Sequence, residues 1–317
     1  MSNVDQNNPF ATVTFHNVDR EYAGQRLDNF LIRLLKGVPK SRIYRLLRKG
    51  EVRVNKGRAK PEMRLNEGDS VRIAPIRVSQ QNNEAPSSHL RNRLKHSIIF
   101  EDDGFIIINK PSGIAVHGGS GVSFGVIEGL RADRPESKFL ELVHRLDKET
   151  SGCLMLAKSR AVLIEIQQAM QKNNVAKSYL ALVKGQWPKG KSTVNAPLKK
   201  NQLSSGERLV RVDVSGKPSV THFKVAQKYS EANLVEVALE TGRTHQIRVH
   251  CQFSNQPIAG DEKYGDRQFN ESMKGLGLKR LFLHASRLSF KHPLSGEKIQ
   301  LEAPLPDDLH SVLDKLG

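Results

Sequence analysis

The chain has 317 residues, of which 38% are hydrophobic, so it can bury a core and exceeds the usual size of one domain. Its 50 Lys and Arg residues outnumber 33 Asp and Glu residues, which gives a formal net charge of +17 at pH 7. This excess favours a nucleic acid as partner, although an anionic membrane surface attracts the same charge. No apolar run is long enough to span a membrane.

The N-terminus and the cysteines indicate a reducing compartment. The first eight residues lack the basic and apolar regions of a secretory signal. The cysteines, Cys153 and Cys251, are too few for a disulfide framework. We therefore expect free thiols and a cytoplasmic protein.

The basic charge is concentrated towards the N-terminus. Between Asp19 and Arg77, 16 Lys and Arg residues stand against 7 Asp and Glu residues, so this segment carries +9. Its apolar residues recur at helical spacing, and Gly37 stands where such a helix would end. The stripe that predicts this first helix consists of Leu27, Phe30, Leu31, Leu34 and Leu35.

A second helix is predicted to follow, with Ser41 as its N-cap and Gly50 at its end. Its basic side chains share the face opposite its apolar residues, which predicts a stripe that binds phosphates. The plainer interpretation of such a charge run is a solvated helix face. The stripe consists of Arg42, Arg45 and Lys49.

The order of elements in this segment resembles an S4 RNA-binding domain. The likeness rests on Arg26-Leu27-Asp28, the basic second helix, a short strand from Val52 to Asn55 and a turn at Gly68-Asp69. It covers most of residues 24 to 74. The resemblance implies an α-α-β unit that binds RNA through Arg42, Arg45, Lys49 and Arg53.

A polar segment separates this unit from the rest of the chain. Residues 78–95 are rich in Gln, Asn, Ser and Glu, which predicts a flexible linker. An N-terminal extension (1–19), an S4 domain (20–77), this linker and a larger domain (96–317) follow from that boundary. In the larger domain β-spaced runs predominate, and helices are predicted after Ser159 and from Thr244. The predicted fold class is α+β, with a mainly antiparallel mixed sheet and flanking helices.

The loop from His144 to Gly152 is the candidate active site. It surrounds Asp147 with His144, Arg145 and Lys148, and nearby cations favour the ionised form of a carboxylic acid. The carboxylate would then be available as a nucleophile. Taken alone, an Asp in a basic loop is more often a salt bridge or a helix cap.

Three further polar segments follow predicted strands: Asn109 to Gly113, Gly242 to His250 and Ile258 to Gly265. With the His144 loop, they resemble the RluA family of RNA pseudouridine synthases, whose signatures are an HRLD loop, a GRTHQIR segment and a GD..YG turn. The resemblance covers residues 97 to 305. It implies the isomerisation of uridine to pseudouridine, which is redox-neutral and needs no cofactor.

The resemblance also implies roles for single residues. Asp147 corresponds to the catalytic aspartate, and Arg243 to the arginine that pairs with it. Tyr179 corresponds to the tyrosine that stacks on the target base and is a candidate acceptor of its C5 proton. Arg145 corresponds to the arginine that fills the gap left by the extruded uridine, and Leu283 to a residue beneath the flipped base.

Lys110 and His144 complete the predicted substrate-binding set. Without the family, Tyr179 is an ordinary core aromatic, Arg145 a surface arginine and Leu283 a buried strand residue. The same holds for the histidines, which would be satisfied structural residues: His117, His144, His245 and His250.

The sequence argues against a metal and a nucleotide cofactor. His245 and His250 are five residues apart, not the four that place two ligands on one helical face. Residues 185–192 match the P-loop pattern, but the β-branched residues and proline of residues 193–197 oppose the helix that a P-loop requires. We therefore predict a hairpin loop there.

The resulting prediction is a monomeric cytoplasmic enzyme that converts specific uridines of 23S ribosomal RNA to pseudouridine, with no membrane partner. Two alternatives stay open: a non-catalytic RNA-binding or ribosome-assembly factor, and a synthase that acts on other ribosomal RNA sites or on tRNA. A third, hydrolytic removal of a base, would release free uracil. Whether Asp147 attacks the sugar or abstracts its C2′ proton is also left open.

Overall fold

The structure, a computed structural model, describes residues 9–35, 37–76, 85–119, 122–190, 192–202 and 208–317. The chain divides into two compact units, Met1–Ala85 and Pro86–Gly317. Both combine helices with mainly antiparallel strands, so the predicted α+β class is confirmed. Within the described ranges, no helix has the length and apolar character needed to cross a membrane.

The N-terminal unit packs two helices on one face of a four-stranded antiparallel sheet, whose strand order is β1-β4-β2-β3. Val52, Val54, Val71 and Ile73 alternate along two of the strands and join the buried apolar residues of both helices in one core. The elements are β1 (Thr14–Asn17), α1 (Leu27–Leu34), α2 (Lys40–Lys49), β2 (Val52–Val54), β3 (Gly57–Arg58) and β4 (Ser70–Ile73).

The two predicted helices are confirmed, with one correction. The helix α2 begins at Lys40 after Pro39, so Ser41 lies inside the first turn and is not the N-cap. Proline suits that boundary because its fixed φ disfavours only the helix interior. Gly50 ends α2 with a φ of +71°, as predicted from its lack of a Cβ atom.

Both predicted boundaries of the N-terminal unit need revision. The strand β1 lies within the predicted extension but pairs with β4 from Thr14 to Asn17, so the unit begins before residue 20. Of the predicted linker, residues 78–84 lie outside the described part of the chain. Residues 88–95 form a helix, α3 (Ser88–Lys95), because Ser87 caps it and Leu94 packs closely at Gly129.

The C-terminal unit contains the remaining elements: β5 (Ile98–Glu101), β6 (Phe105–Lys110), α4 (Val126–Ala132), β7 (Glu141–Leu142), β8 (Ser151–Ala157), α5 (Arg160–Gln171), β9 (Ala176–Lys184), β10 (Thr193–Asn195), β11 (Leu198–Gln202), β12 (Arg208–Val212), β13 (Val220–Lys228), β14 (Ala232–Leu239), α6 (Gln246–Phe253), α7 (Arg267–Gly275), β15 (Leu283–Lys291), β16 (Lys298–Glu302) and α8 (Asp307–Leu316). The predicted strands at 98–100, 105–108, 153–156, 179–183 and 235–239 are confirmed.

The main sheet of this unit has the strand order β10-β13-β14-β9-β15-β8-β6-β5 within the described residues, with β16 on β15 and β7 on β8. All its pairs are antiparallel except β8 with β15. Because β9 pairs with β14 and β10 with β13, the P-loop-like segment connects two strands that do not pair with each other. The prediction of a hairpin loop at residues 185–192 was therefore wrong, although a strand and not a helix follows it.

The parallel pairing of β8 with β15 depends on one glycine. Gly152 has a φ of +108°, and a Cβ atom there would lie 2.2 Å from the carbonyl oxygen of Ala285. We expect Gly152→Ala to lower the free energy of unfolding by at least about 2 kcal/mol, because it adds backbone strain to a clash with a neighbouring strand.

Urea unfolding of the purified protein measures this change. The matched control is Gly275→Ala, since Gly275 is the last residue of α7 and a Cβ atom there meets nothing within 4 Å. We expect this control to be neutral or to stabilise by up to about 1 kcal/mol. Equal effects of the two substitutions would contradict the close approach of the strands.

Candidate active site

A cavity of about 640 Å³ opens in the C-terminal unit where the loop before β8 meets β9 and the start of α6. Asp147 lines it from the loop, Tyr179 from β9 and Leu283 from β15. Arg145 and Arg243 also line it and are exposed. With His144, the structure thus brings six of the predicted catalytic and substrate-binding residues to one cavity.

The loop that carries Asp147 is held by hydrogen bonds from the end of β6 and the residues that follow it. The ammonium of Lys110 donates to the carbonyl of Lys148 at 3.0 Å, and the backbone N–H of Gly113 donates to the same oxygen at 3.0 Å. The hydroxyl of Ser112 donates to the carbonyl of Glu149 at 2.7 Å. The Lys-Pro-Ser-Gly segment therefore positions the loop that carries Asp147.

Lys110 itself does not reach the cavity. Its side chain is fully buried, and its ammonium also donates to the carbonyls of Pro111 and Ile114 at 2.9 and 2.8 Å. The prediction that Lys110 binds substrate is therefore corrected: all three of its N–H groups are used inside the protein. The sequence could not distinguish substrate binding from a structural role, since a lysine near a loop is compatible with either.

His144 lines the cavity but is also bonded to the sheet. Its Nε2 atom lies 3.2 Å from the backbone nitrogen of Met155, which donates to it. Burial lowers the pKa of His144 to about 3, so the ring is neutral at pH 7. A neutral ring with one nitrogen committed to β8 holds the start of the Asp147 loop in place.

The cation that faces Asp147 is Arg248. Its Nη1 atom lies 3.5 Å from Oδ2 of Asp147, while its Nε and Nη2 atoms donate to the two carboxylate oxygens of Asp261, each at 2.7 Å. Asp261 is 1% exposed and also accepts from the backbone N–H groups of Lys263 and Tyr264. This bidentate pair fixes the guanidinium plane, so one nitrogen remains directed at Asp147.

The predicted pairing of Arg243 with Asp147 is therefore corrected. Among the described residues Asp147 has ion pairs with Arg248 and His245, and none with Arg243. Arg243 precedes α6, and its Nε atom donates to the carbonyl of Pro218 at 3.3 Å. Arg248 was missed, although it stands in the same GRTHQIR segment, because the sequence alone does not say which of the two arginines enters the cavity.

His245 is a second neighbour of Asp147 that the sequence analysis left without a role. It takes a left-handed conformation, with φ 54°, at the N-cap of α6, and its Nε2 atom lies 3.8 Å from Oδ2 of Asp147. Its Nδ1 atom lies 2.8 Å from the hydroxyl of Tyr264, which accepts from the backbone N–H of Val210. The Tyr264 proton is then free to be donated to Nδ1, which leaves an N–H on the side of Asp147. Burial lowers the pKa of His245, which favours this neutral ring.

The strand β9 presents two side chains to the cavity from the same face. Tyr179 is buried, and burial together with the charge of Asp147 raises the pKa of its hydroxyl above the ordinary value. At pH 7 the hydroxyl of Tyr179 is therefore protonated. A protonated phenol cannot accept a proton as a base, so this state favours a role in stacking. Lys177, two residues earlier, lines the cavity without a hydrogen bond or ion pair to any described residue. Burial lowers its pKa.

Metal coordination has no support in the described part of the chain, where no group of three His, Cys, Asp or Glu side chains is arranged to hold an ion. His250 lies away from the cavity and bonds to Thr221 and to the carbonyl of Ala196. Cys153 and Cys251 are both free and buried, and burial raises the pKa of the Cys153 thiol to about 11.

The buried ammonium of Lys110 predicts a pH dependence of stability. Burial lowers its pKa to about 7, whereas an unfolded chain has the ordinary value of 10.5. Unfolding therefore takes up a proton between about pH 7 and 10.5, and this contribution to the free energy of unfolding rises with pH across that window. In Lys110→Met we expect this contribution to be absent, so the free energy of unfolding should rise less steeply with pH than in the wild type, which urea unfolding between pH 7 and 10 measures.

Lys148→Met is the matched control, because Lys148 belongs to the loop that the Lys110 ammonium contacts but its own side chain is exposed. Its stability should follow the wild-type pH profile. A Lys110→Met curve parallel to the wild type would contradict the burial of a titrating ammonium.

A carboxylate held against a fixed guanidinium, in a cavity also lined by a phenol ring, an apolar residue and further cations, suits the glycosidic chemistry that the sequence predicts. Residues 104–253 match the RNA pseudouridylate synthase family, and residues 25–71 match the S4 domain. The ribosomal large subunit pseudouridine synthase C of Salmonella typhi is 57% identical over 298 residues, which cover 93% of this chain and 93% of that protein. Its namesake from Haemophilus influenzae is 54% identical, over 96% of both chains.

A solved structure is also similar. Human RNA Pseudouridylate Synthase Domain Containing 4 aligns with a TM-score of 0.58 and 28% identity, covering 72% of this chain and 95% of that one. The chain therefore belongs to the RluA family of RNA pseudouridine synthases, with an S4 domain at its N-terminal side. The enzymatic activity expected from the sequence is confirmed at the level of this family.

Proposed function

We propose that this protein converts uridines of large-subunit ribosomal RNA to pseudouridine, with Asp147 as the catalytic carboxylate. The observation that carries the proposal is the cavity in which Arg248 holds Asp147 beside Tyr179 and Leu283. The names of its relatives and the basic S4 unit support ribosomal RNA as the substrate.

The reaction breaks the bond between N1 of uracil and C1′ of ribose and forms a bond from C5 to C1′, so the C5 hydrogen is lost as a proton and N1 gains one. A carboxylate suits this chemistry because glycosidic cleavage develops positive charge on the sugar. Asp147 would attack C1′ or remove the C2′ proton. Arg248 keeps the carboxylate ionised in either route, since a nearby cation stabilises its negative charge.

Other cavity residues would hold the extruded uridine. The ring of Tyr179 would stack on the base, above the apolar side chain of Leu283. Arg145 would fill the gap in the RNA, which offsets part of the few kcal/mol that base flipping costs. Arg243 and Lys177 would face the phosphates that flank the uridine.

The S4 unit would supply much of the affinity. Three side chains of α2 are available to phosphates, because Arg45 and Lys49 are exposed and Arg42 is partly so. We further propose that the protein acts as a monomer in the cytoplasm. Ribosomal RNA is present there, and its reducing environment is consistent with the two free thiols.

The experiment is pseudouridine mapping on in vitro transcripts of 23S ribosomal RNA, 16S ribosomal RNA and tRNA after incubation with the purified protein. We expect new pseudouridines in the 23S transcript alone. Modification confined to another RNA would move the proposal to that substrate class. Release of free uracil without pseudouridine would replace isomerisation by base removal, and no change in any RNA would favour a non-catalytic factor.

A further inference from the structure

The sheet of the N-terminal unit has an outer face that the helices leave uncovered. The hydrogen-bonded register places Phe15 of β1 opposite Arg72 of β4, Arg72 opposite Arg53 of β2, and Arg53 opposite Arg58 of β3. Side chains at directly opposed positions lie on the same face of a sheet. These four residues therefore form one row across all four strands, here called the Phe–Arg row.

The row points away from the core. Arg72 lies between the buried residues Val71 and Ile73, and Arg53 between Val52 and Val54, so both arginines must face outwards. Phe15 is 66% exposed, which is unusual for a large aromatic side chain on a small domain. With adjacent strands about 4.8 Å apart, the row is roughly 15 Å long.

The three arginines have no carboxylate partner among the described residues. Arg53 donates to the carbonyl of Lys56 at 3.4 Å, and neither Arg58 nor Arg72 has a side-chain hydrogen bond to a described residue. Like charges directly opposite each other destabilise a sheet. A row of three guanidinium groups without a described carboxylate partner is therefore complementary to a polyanion, and binding of a polyanion would relieve the repulsion.

We propose that the Phe–Arg row is a second RNA-binding surface of the S4 unit, which takes a single-stranded segment with an unpaired base stacked on Phe15. The proposal rests on the proposed action on RNA and adds a site apart from the stripe of α2. A sheet face with an aromatic and flanking cations binds single strands through stacking and phosphate contacts. One end of the row lies near the end of α2, because the side chain of Arg58 lies close to Gly50, the residue that ends this helix.

In this proposal Phe15 at one end of the row stacks on a base, and the arginines contact phosphates. Two variants of the full-length protein therefore test the two kinds of contact separately. Phe15→Ala should weaken binding to a 16-nucleotide single-stranded RNA about tenfold, with little change in salt dependence, because stacking carries no charge. The triple variant R53Q/R58Q/R72Q should reduce the slope of log affinity against log salt by about 2, at roughly 0.7 per phosphate contact. Binding to the corresponding duplex should respond to the triple variant but not to Phe15→Ala.

A charge-matched control keeps the test specific. K228Q/K291Q/K298Q removes three exposed lysines from the C-terminal unit and should leave affinity for the single strand within twofold. The proposal is overturned if Phe15→Ala and the arginine triple variant also stay within twofold. It is also overturned if they change only sedimentation of the protein, which would make the face a contact between copies, or only binding to phosphatidylserine vesicles.

Failure of this proposal is distinguishable from failure of the proposed function. If the wild type makes no pseudouridine in 23S RNA while the row variants still lose binding to the single strand, the row stands and the substrate assignment falls. If pseudouridine forms and the variants bind normally, the row falls alone.

Discussion

Asp147→Asn should abolish pseudouridine formation, with a loss of roughly 10³-fold or more, while folding and RNA binding persist. The amide has nearly the shape of the carboxylate but can neither form a bond to C1′ nor accept a C2′ proton. The fold should tolerate the change, because the loop is fastened through backbone carbonyls of Lys148 and Glu149 and not through the Asp147 side chain. Pseudouridine mapping on 23S RNA and filter binding of the same RNA measure the two properties separately.

Glu149→Gln is the matched control for that variant. It makes the same chemical change two residues away in the same loop, at a side chain that is 47% exposed and whose ion pair among the described residues is with Lys148 at 3.9 Å. We expect its activity to stay within about twofold, as surface changes usually have small effects. Activity retained in Asp147→Asn would remove the carboxylate from the reaction. Equal losses in both variants would mean that loop charge, and not Asp147, is required.

The fold could be predicted where local pattern and tertiary environment agree. The stripe of α1 and the strands β6 and β8 bury the faces that their spacing indicates, so their existence follows from the sequence. The helix α3 was missed because a polar, Ser-rich segment resembles a linker until Leu94 is seen to pack against α4. The strand β1 was missed for a similar reason, since its partner β4 lies more than 50 residues away.

The candidate site could be predicted as a set of residues but not as a set of contacts. Motif resemblance brought Asp147, Tyr179 and Leu283 to one cavity, which the structure also does. It did not show which of Arg243 and Arg248 contacts Asp147. That choice depends on where α6 begins, because Arg248 lies within the helix and Arg243 lies before its first residue, Gln246. Nor could it show that the Lys110 ammonium donates to three backbone carbonyls, because every residue has a carbonyl and the sequence does not indicate which ones lie nearby.

Arg248→Met should destabilise the protein by about 3–5 kcal/mol, because it leaves the carboxylate of Asp261 buried without its cation. Arg248→Lys should keep the fold but lose about 1.5–3 kcal/mol, as an ammonium cannot donate along both edges of Asp261. We also expect Arg248→Lys to lower pseudouridine formation at least about 100-fold, since one ammonium cannot bind Asp261 and face Asp147 together. Urea unfolding and single-turnover kinetics measure the two effects.

Arg243→Lys separates this arrangement from the pairing that the sequence suggested. Arg243 is exposed, so its replacement should change stability by no more than about 0.5 kcal/mol, whereas replacing a true partner of the Asp147 carboxylate, which is 20% exposed, would cost more. The double variant Arg248→Met/Asp261→Asn supplies the final test of cause. Removing both charges should recover part of the stability lost in Arg248→Met, because no uncompensated carboxylate remains, but it should not restore activity. Additive losses would show that packing of the guanidinium, and not its charge on Asp261, holds this part of the site together.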